Sequence, residues 1–452
     1  MPLLGKLWAS LAGPPAILDQ LTITGEGALP SVYRVTDLAT AAIGAAGAAI
    51  AELIGLQTAA IPKVRLDRRL ASMWFASSLR PIGWEVPPVW HAVAGDYRAA
   101  DTWIRLHANY PHHRQIALEV LGCPPERCAV EKAVATWQAE DLERAIVDSG
   151  GCAAMLRSRS DWTNHPQGSA VATEPVMHQT ETGIGPAPTW QIPADRPLGG
   201  VRVLDLTRVL AGPVATRFLA GFGAHVLRVD PPGWEEPGIA PEMTVGKRCA
   251  RLDLRNAEDR QQLARLLEAA DVFVHGYRAD ALDRLGFGPD KLARLHPGLV
   301  DVSLNAYGWS GPWRNRRGFD SLVQMSSGIA DSGMRVAARE APLSLPVQAL
   351  DHATGYTMAA AVVRGLVARH TSGTGWQVRT SLARTAELLA QAGEGDLQDS
   401  PPPETDDDVL EALETTAWGP ARRLTPPLQI DGTPFRWDRP ASGLGSDTPM
   451  WD

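Results

Sequence analysis

Residues 200–232 read GVRVLDLTRVLAGPVATRFLAGFGAHVLRVDPP. GVRVLDL is a short, mostly apolar run of strand type, TRVLAGPVATRFLAGFG supplies a turn and an amphipathic helix, and AHVLRVDPP is a second strand stopped by two prolines. Two strands joined by a helix form a βαβ unit, and that crossover makes the strands parallel. The alternation continues outward through CARLDLRN, the helical DRQQLARLLEAA, DVFVHGY, ADALDRLGF and LVDVSLNAYG. The predicted fold class is therefore α/β: a Rossmann-like, doubly wound parallel sheet domain at 198–395, with a second, smaller α/β domain.

Sheets of this kind bind ligands beyond the carboxyl ends of their strands. The residues that fall there are Arg208-Val209-Leu210-Ala211, Asp230-Pro231-Pro232, Tyr277-Arg278 and Asn305-Ala306-Tyr307. The first turn lacks the GxGxxG of a nicotinamide dinucleotide site, so an NAD-dependent oxidoreductase is not supported. Arginines are scattered nearby: Arg228, Arg278, Arg284, Arg314, Arg316 and Arg317. Each alone reads as part of a solvated face; together, beside a crevice, they suit a phosphate-bearing ligand with a ring for Tyr277 to stack on.

Downstream, PVQALDHATGYTMAAAVVRGLVAR at 346–369 places Asp351 at the head of an apolar run broken only by Gly365, which predicts a buried helix. Two readings of Asp351 stand side by side. It caps the helix by accepting free N–H groups, or it is a carboxylate kept ionised by the helix dipole and able to act as a nucleophile. The pattern occurs twice. Aligning VTDLATAAIGAAGAAIAELIGL from Val35 on ALDHATGYTMAAAVVRGLVARH from Ala349 pairs Asp37 with Asp351, Thr40 with Thr354 and Ala45-Ala46 with Ala359-Ala360. The same offset brings Val64-Arg65 onto Val378-Arg379, an internal repeat of Asp, helix, loop and strand.

With 452 residues, 44% hydrophobic and 21% charged, the chain holds two or three globular domains. A net charge of −8 argues against nucleic-acid binding. Cys123, Cys128, Cys152 and Cys249 form no CxxC or metal spacing, which predicts reduced thiols in a cytoplasmic protein. Residues 39–56 approach membrane-spanning length, but Glu52 interrupts them and the repeat partner carries Arg364, so a core helix and no membrane are expected. Residues 1–28 read as a lead-in with at best a weak signal peptide, and 29–162 as the first Asp-helix plus the small domain. Residues 163–197 read as a Pro- and Gly-rich linker, and 396–452 as an acidic, Pro-rich, mobile linker with an extended C-terminal stretch around Trp437 and Trp451. His107, His112 and His113 follow a predicted hairpin. They lack companions at a metal spacing, so a loop or interface cluster is the reading and no metal is expected.

Taken in order, PLGGVRVLDLTRVLAGPVATRFLAGFGAHVLRVDPP, GKRCARLDLRN, DVFVHGYRADALDRLGFGPDKLARLHPGLVDVSLNAYGWSGPW, RRGFDSLVQMSSG and LDHATGYTMAAAVVRGLVAR resemble the class III coenzyme A transferase family (CaiB/BaiF type). Residues 87–122 are similar to its small domain, and the stretch from Glu140 to Gln167 to its returning linker, so the family's segments stand in rearranged order. The resemblance implies a nucleophile at Asp351, with Asp37 as a lesser candidate. It implies coenzyme A contacts at Val209, Leu210, Ala211, Leu252, Tyr277, Arg284 and Arg317. It further implies a cytoplasmic, intertwined homodimer, with acyl-CoA and a carboxylic acid as substrates and no tightly bound cofactor. Coenzyme A would move between acids through aspartyl anhydride and thioester intermediates, with helix-start N–H groups holding the oxyanion.

Three departures bear on this. Racemases of the family pair the aspartate with a His where this chain has Phe319; some formate-specific members place Gln where it has Leu210; and no closing glycine-rich loop is found. An acyl-CoA racemase or isomerase, or a catalytically silent acyl-CoA-binding protein, are the alternatives.

Overall fold

The computed structural model describes residues 2–58, 60–278 and 280–451. A seven-stranded sheet runs in the order Lys247–Arg251, His225–Asp230, Arg202–Leu206, Val272–His275, Val300–Asn305, Thr374–Ser381 and His178–Ile184. The first six strands are parallel and the last is antiparallel. From Arg202–Leu206 the chain steps outward to one side, then returns to build the other side from Val272–His275. That reversal opens a crevice between the carboxyl ends of the two strands. Strands Val272–His275 and Val300–Asn305 are buried at every position, as a sheet covered on both faces requires.

Helix Ala349–Ser372 lies in the core and ends at Gly373, whose φ of 72° suits a glycine beyond the last turn. Its repeat partner, Val35–Thr58, has the same 24-residue length and packs along it. The correspondence extends past the expected unit. Strands Val64–Asp67 and Thr374–Ser381 end at equivalent residues, and each leads into a helix, Arg68–Trp74 or Leu382–Ala390, capped by the strand's last side chain. Val35–Thr58 is long and apolar enough to cross a membrane, but most of it is buried inside the protein. Its Glu52 pairs with Arg364 of the partner helix, so the two polar interruptions neutralise each other.

The small domain has its own apolar core under strands Gly95–Arg98, Trp103–Leu106 and Ala153–Met155 and helices Pro111–Leu121, Arg127–Val134 and Ala139–Asp148. Three segments carry more structure than their composition suggested. The lead-in holds helix Pro2–Ser10 and strand Leu21–Thr24, which pairs in parallel with Val64–Asp67. The 163–197 linker holds helix Pro166–Thr173 and the edge strand of the large sheet. The acidic stretch, expected to be mobile, is anchored by the ion pairs Asp408–Arg69 and Glu404–Arg80. Beyond it, Gly419–Arg423 pairs with Leu79–Pro81, and Leu428–Ile430 with Val64–Asp67. Trp437 stacks on Trp74 at 6.0 Å.

Candidate active site at the strand ends

The first turn after strand Arg202–Leu206 is held from beneath by buried charge. Glu236 accepts the Val209 N–H at 2.7 Å and the Trp234 indole N–H at 2.9 Å, and pairs with Arg228, which also pairs with Asp230. Val209 sits at φ 65°, a costly conformation for a β-branched residue, and the Glu236 bond is one of the contacts that holds it there. Arg228 is thus consumed by carboxylates, as is Arg316 by Glu143, and neither is free for a phosphate as the sequence reading allowed.

Helix Ala349–Ser372 crosses helix Ala211–Gly221 at Gly355, where a Cβ would stand 2.3 Å from the Ala211 carbonyl oxygen. One turn before Gly355 on the same face is Asp351, and this close crossing brings it to Val209 and Ala211. Asp351 is 7% exposed. It is not the helix cap. Asp320, at the start of helix Asp320–Ser326, reaches across to accept the Leu350 and Asp351 N–H groups at 2.9 and 3.0 Å. Two expectations are corrected by this bond. The helix-start N–H groups offered for an oxyanion are already taken, and Asp351 is not simply kept ionised by the helix dipole. Burial, then the charge of Asp320, raise its pKa well above the usual carboxylate range. Burial also raises Asp320, to about 6, against the N–H groups and Gln324 that favour its charge.

Asp351 stands between two cavities. The first, about 410 Å³, opens at the strand ends and carries Arg208, Arg278 and Arg317 along with Val209, Ala211 and Tyr277. These guanidiniums are not neutralised within the cleft. The Arg278 pKa is lowered by burial and then by the neighbouring charges of Arg317 and Arg284. Arg208 lies over Trp234 at 4.7 Å and over Tyr277 at 5.7 Å. A smaller recess of about 220 Å³ leads off past Tyr277 and Arg208 to Leu252. Leu210 faces the second cavity instead, and Arg284 lies outside both, paired with Asp280.

The second cavity, about 570 Å³, is shared between the small domain and the sheet domain, with Val209, Phe319 and Asp351 common to both cavities. The histidines gather here. His107 stacks flat on Phe319 at 3.6 Å, and His113 lines the first cavity; burial first lowers the pKa of each to about 3, so both are neutral. Tyr110 stacks on Trp234 at 4.3 Å, joining the domains. Among the described residues no group of three candidate metal ligands occurs. Asp37 is far from this arrangement in role: Arg68 at 2.9 Å and Arg34 at 3.6 Å hold it in a separate surface depression. The sequence reading missed Asp320 and the wall formed by Pro88, Val89 and Trp90. The FD of RRGFD was the one available signal for Asp320.

Residues 198–396 match the model of CoA-transferase family III. Over 192 residues the chain is 36% identical to a probable fatty acyl-CoA transferase of Mycobacterium tuberculosis, covering 39% of this chain and 48% of that one. Over 195 residues it is 32% identical to the succinyl-CoA:glutarate CoA-transferase of Mus musculus, covering 40% and 44%. The orthorhombic crystal structure of the mycobacterial protein superposes with a TM-score of 0.41 and 33% identity, over 43% of this chain and 57% of that one. The chain spans about half the length of the curated relatives it matches. Over residues 198–396 the chain is thus similar to CoA-transferase family III.

Proposed function

We propose that the protein moves coenzyme A from an acyl-CoA donor to a carboxylic acid, with Asp351 as the nucleophile. One observation carries the reading: the Asp351 carboxylate forms part of the wall of both a cationic cleft and an apolar cavity. A nucleotide ring fits beside Tyr277 and Leu252, phosphates fit against Arg208, Arg278 and Arg317, and the thioester then reaches Asp351 with its acyl group toward the second cavity. The names of the relatives, a fatty acyl-CoA transferase and a succinyl-CoA:glutarate CoA-transferase, support the same chemistry.

The Asp351 carboxylate attacks the thioester carbonyl, forming a mixed anhydride and releasing the coenzyme thiolate. The thiolate attacks the aspartyl carbonyl of the anhydride, giving an aspartyl thioester and the free donor acid. The acceptor carboxylate then displaces the thiolate to form a new anhydride. The thiolate takes the acceptor acyl group from it and regenerates Asp351. Burial strips water from the carboxylate and limits hydrolysis of both intermediates. Ser321, whose hydroxyl is buried without a partner and which lines the second cavity, is the candidate oxyanion donor. The small domain and the coenzyme half of one chain both line the cleft, and the intertwined homodimer is part of the same proposal. A cytoplasmic location, with its pool of coenzyme A, belongs to the same proposal.

The racemase reading gains a histidine in space, since His107 lies against Phe319. Its pKa of about 3 makes it a feeble base, and the transferase reading stands ahead. The experiment is trapping: incubation with ¹⁴C-labelled acyl-CoA and hydroxylamine should leave an Asp351 hydroxamate, abolished in Asp351→Ala. Binding of acyl-CoA without any adduct would instead indicate the silent binding protein, and solvent deuterium at the α-carbon the racemase.

A further inference from the structure

The cavity beyond Asp351 differs in kind from the cleft that leads to it. Its walls are Pro88, Val89 and Trp90 from the small-domain side and Leu210, Ile239 and Phe319 from the sheet-domain side. No Lys or Arg lines it; its carboxylates are Glu235, Glu236 and Asp351, with Glu236 occupied by Arg228 and the Val209 N–H, and burial lowers the pKa of its two histidines, His91 and His107, toward the neutral form. Arg105 lies behind the Trp90 ring at 4.9 Å and is paired with Asp96. The segment is seated closely against the sheet domain, since a Cβ on Gly238 would stand 2.6 Å from the Pro87 carbonyl oxygen. The same segment leaves Ile82, Val86, Val89 and Trp90 partly exposed, an apolar lip at the cavity.

A second carboxylate entering this space would be desolvated with no cation to meet it and with Asp351 nearby. Such a burial costs several kcal/mol per ion. A formyl or oxalyl group would leave most of about 570 Å³ unfilled, whereas a volume in this range suits a ligand with a ring or a branched chain. Resting on the transferase reading, we infer that the acyl site takes monocarboxylic acids whose chain beyond the reacting carboxylate is uncharged and apolar, aromatic or branched, and rejects dicarboxylates. Specificity is set chiefly by Trp90 and Val89, which reach the reaction only through the acyl group.

The test is a panel of acceptors with the full chain and a common acyl-CoA donor: phenylacetate, 3-methylbutyrate, succinate, glutarate and oxalate. The expected kcat/KM for the monocarboxylates exceeds that for the dicarboxylates by at least about 100-fold, the equivalent of the unpaired buried charge. Val89→Arg, at a partly exposed position that tolerates the change, should narrow that ratio at least about tenfold by giving the second carboxylate a partner. Comparable or better use of succinate or glutarate by the wild type overturns the inference while leaving the transferase reading intact. Absence of transfer to every acid, with no trapped adduct, overturns the transferase reading. In that case saturation-transfer NMR on the coenzyme A-loaded protein still judges the cavity. Phenylacetate should give a signal that Trp90→Ala weakens and succinate none; equal signals, or no effect of Trp90→Ala, overturn the assignment.

Discussion

Asp320 and Asp351 share a buried space, and their interaction decides when either is charged. Each is raised first by loss of water, and Asp320's charge adds to the effect on Asp351. On the proposed transferase mechanism Asp351 must be ionised to act, so the acid limb of kcat/KM should lie above the ordinary carboxylate range. Asp320→Asn retains an oxygen to accept the Leu350 and Asp351 N–H groups but removes the negative charge. With that charge gone, Asp351 ionises at lower pH. The limb therefore moves to the acid side, with kcat/KM rising more than about threefold above pH 6, where wild-type Asp320 carries its charge, and changing little near pH 5, where it is already protonated. Asp320→Ala removes the acceptor as well; it should cost about 1–2 kcal/mol of stability and lower kcat at every pH. A pH–rate profile of the two variants checks this, and an unmoved limb in Asp320→Asn would mean the charges do not communicate. Asp351 was legible in the sequence because it heads a long apolar run. Its ionisation was not, because the controlling carboxylate arrives from another helix and shows no periodic relation to it.

At the scale of elements, the site depends on how closely two helices and a strand approach. Gly365 was legible as the break in the apolar run, and its reason is now visible: a Cβ there would stand 2.6 Å from Val300 Cγ1. Gly355 gave no such signal, although its Cβ would meet the Ala211 carbonyl oxygen and Val214. Alanine raises intrinsic helix stability by about 1 kcal/mol, but overpacking at a backbone contact costs about 1–3 kcal/mol and outweighs it. Both Gly355→Ala and Gly365→Ala should therefore destabilise the protein. Only Gly355→Ala should also weaken coenzyme A binding and acyl transfer, by about tenfold or more, because it pushes Asp351 and the 209–211 turn apart. Denaturant melts with coenzyme A titrations separate the two; equal losses of affinity would place the control of the site elsewhere. The strands of the C-terminal segment were illegible for a related reason. Gly419–Arg423, besides its local hairpin with Glu414–Thr416, pairs with Leu79–Pro81, and Leu428–Ile430 pairs with Val64–Asp67, partners more than three hundred residues earlier in the chain.

For the whole molecule, the repeat sets two similar units back to back with unequal equipment. Helix Ala349–Ser372 packs on a seven-stranded sheet whose switch point makes the cleft, whereas, among the described residues, helix Val35–Thr58 is accompanied by a three-stranded sheet of Leu21–Thr24, Val64–Asp67 and Leu428–Ile430. The repeat was readable from Asp37, Asp351 and the strand register, but this inequality was not, because helix text is similar whether or not a binding sheet precedes it. Asp37 meets two arginines, at 2.9 and 3.6 Å, whereas Asp351 lines the cleft at the strand ends. Such partly exposed pairs contribute about 0–1 kcal/mol. The second unit packs against the first through the Glu52–Arg364 pair and the helix interface, and a purely supporting role for it is the expectation to test. Calorimetric titration should give one coenzyme A per chain. Asp37→Ala should keep that stoichiometry and full hydroxamate trapping, with stability lowered by no more than about 1 kcal/mol. Two coenzyme A molecules per chain, or loss of the trapped adduct in Asp37→Ala, would show that both units retain a working site and that catalysis is divided between them.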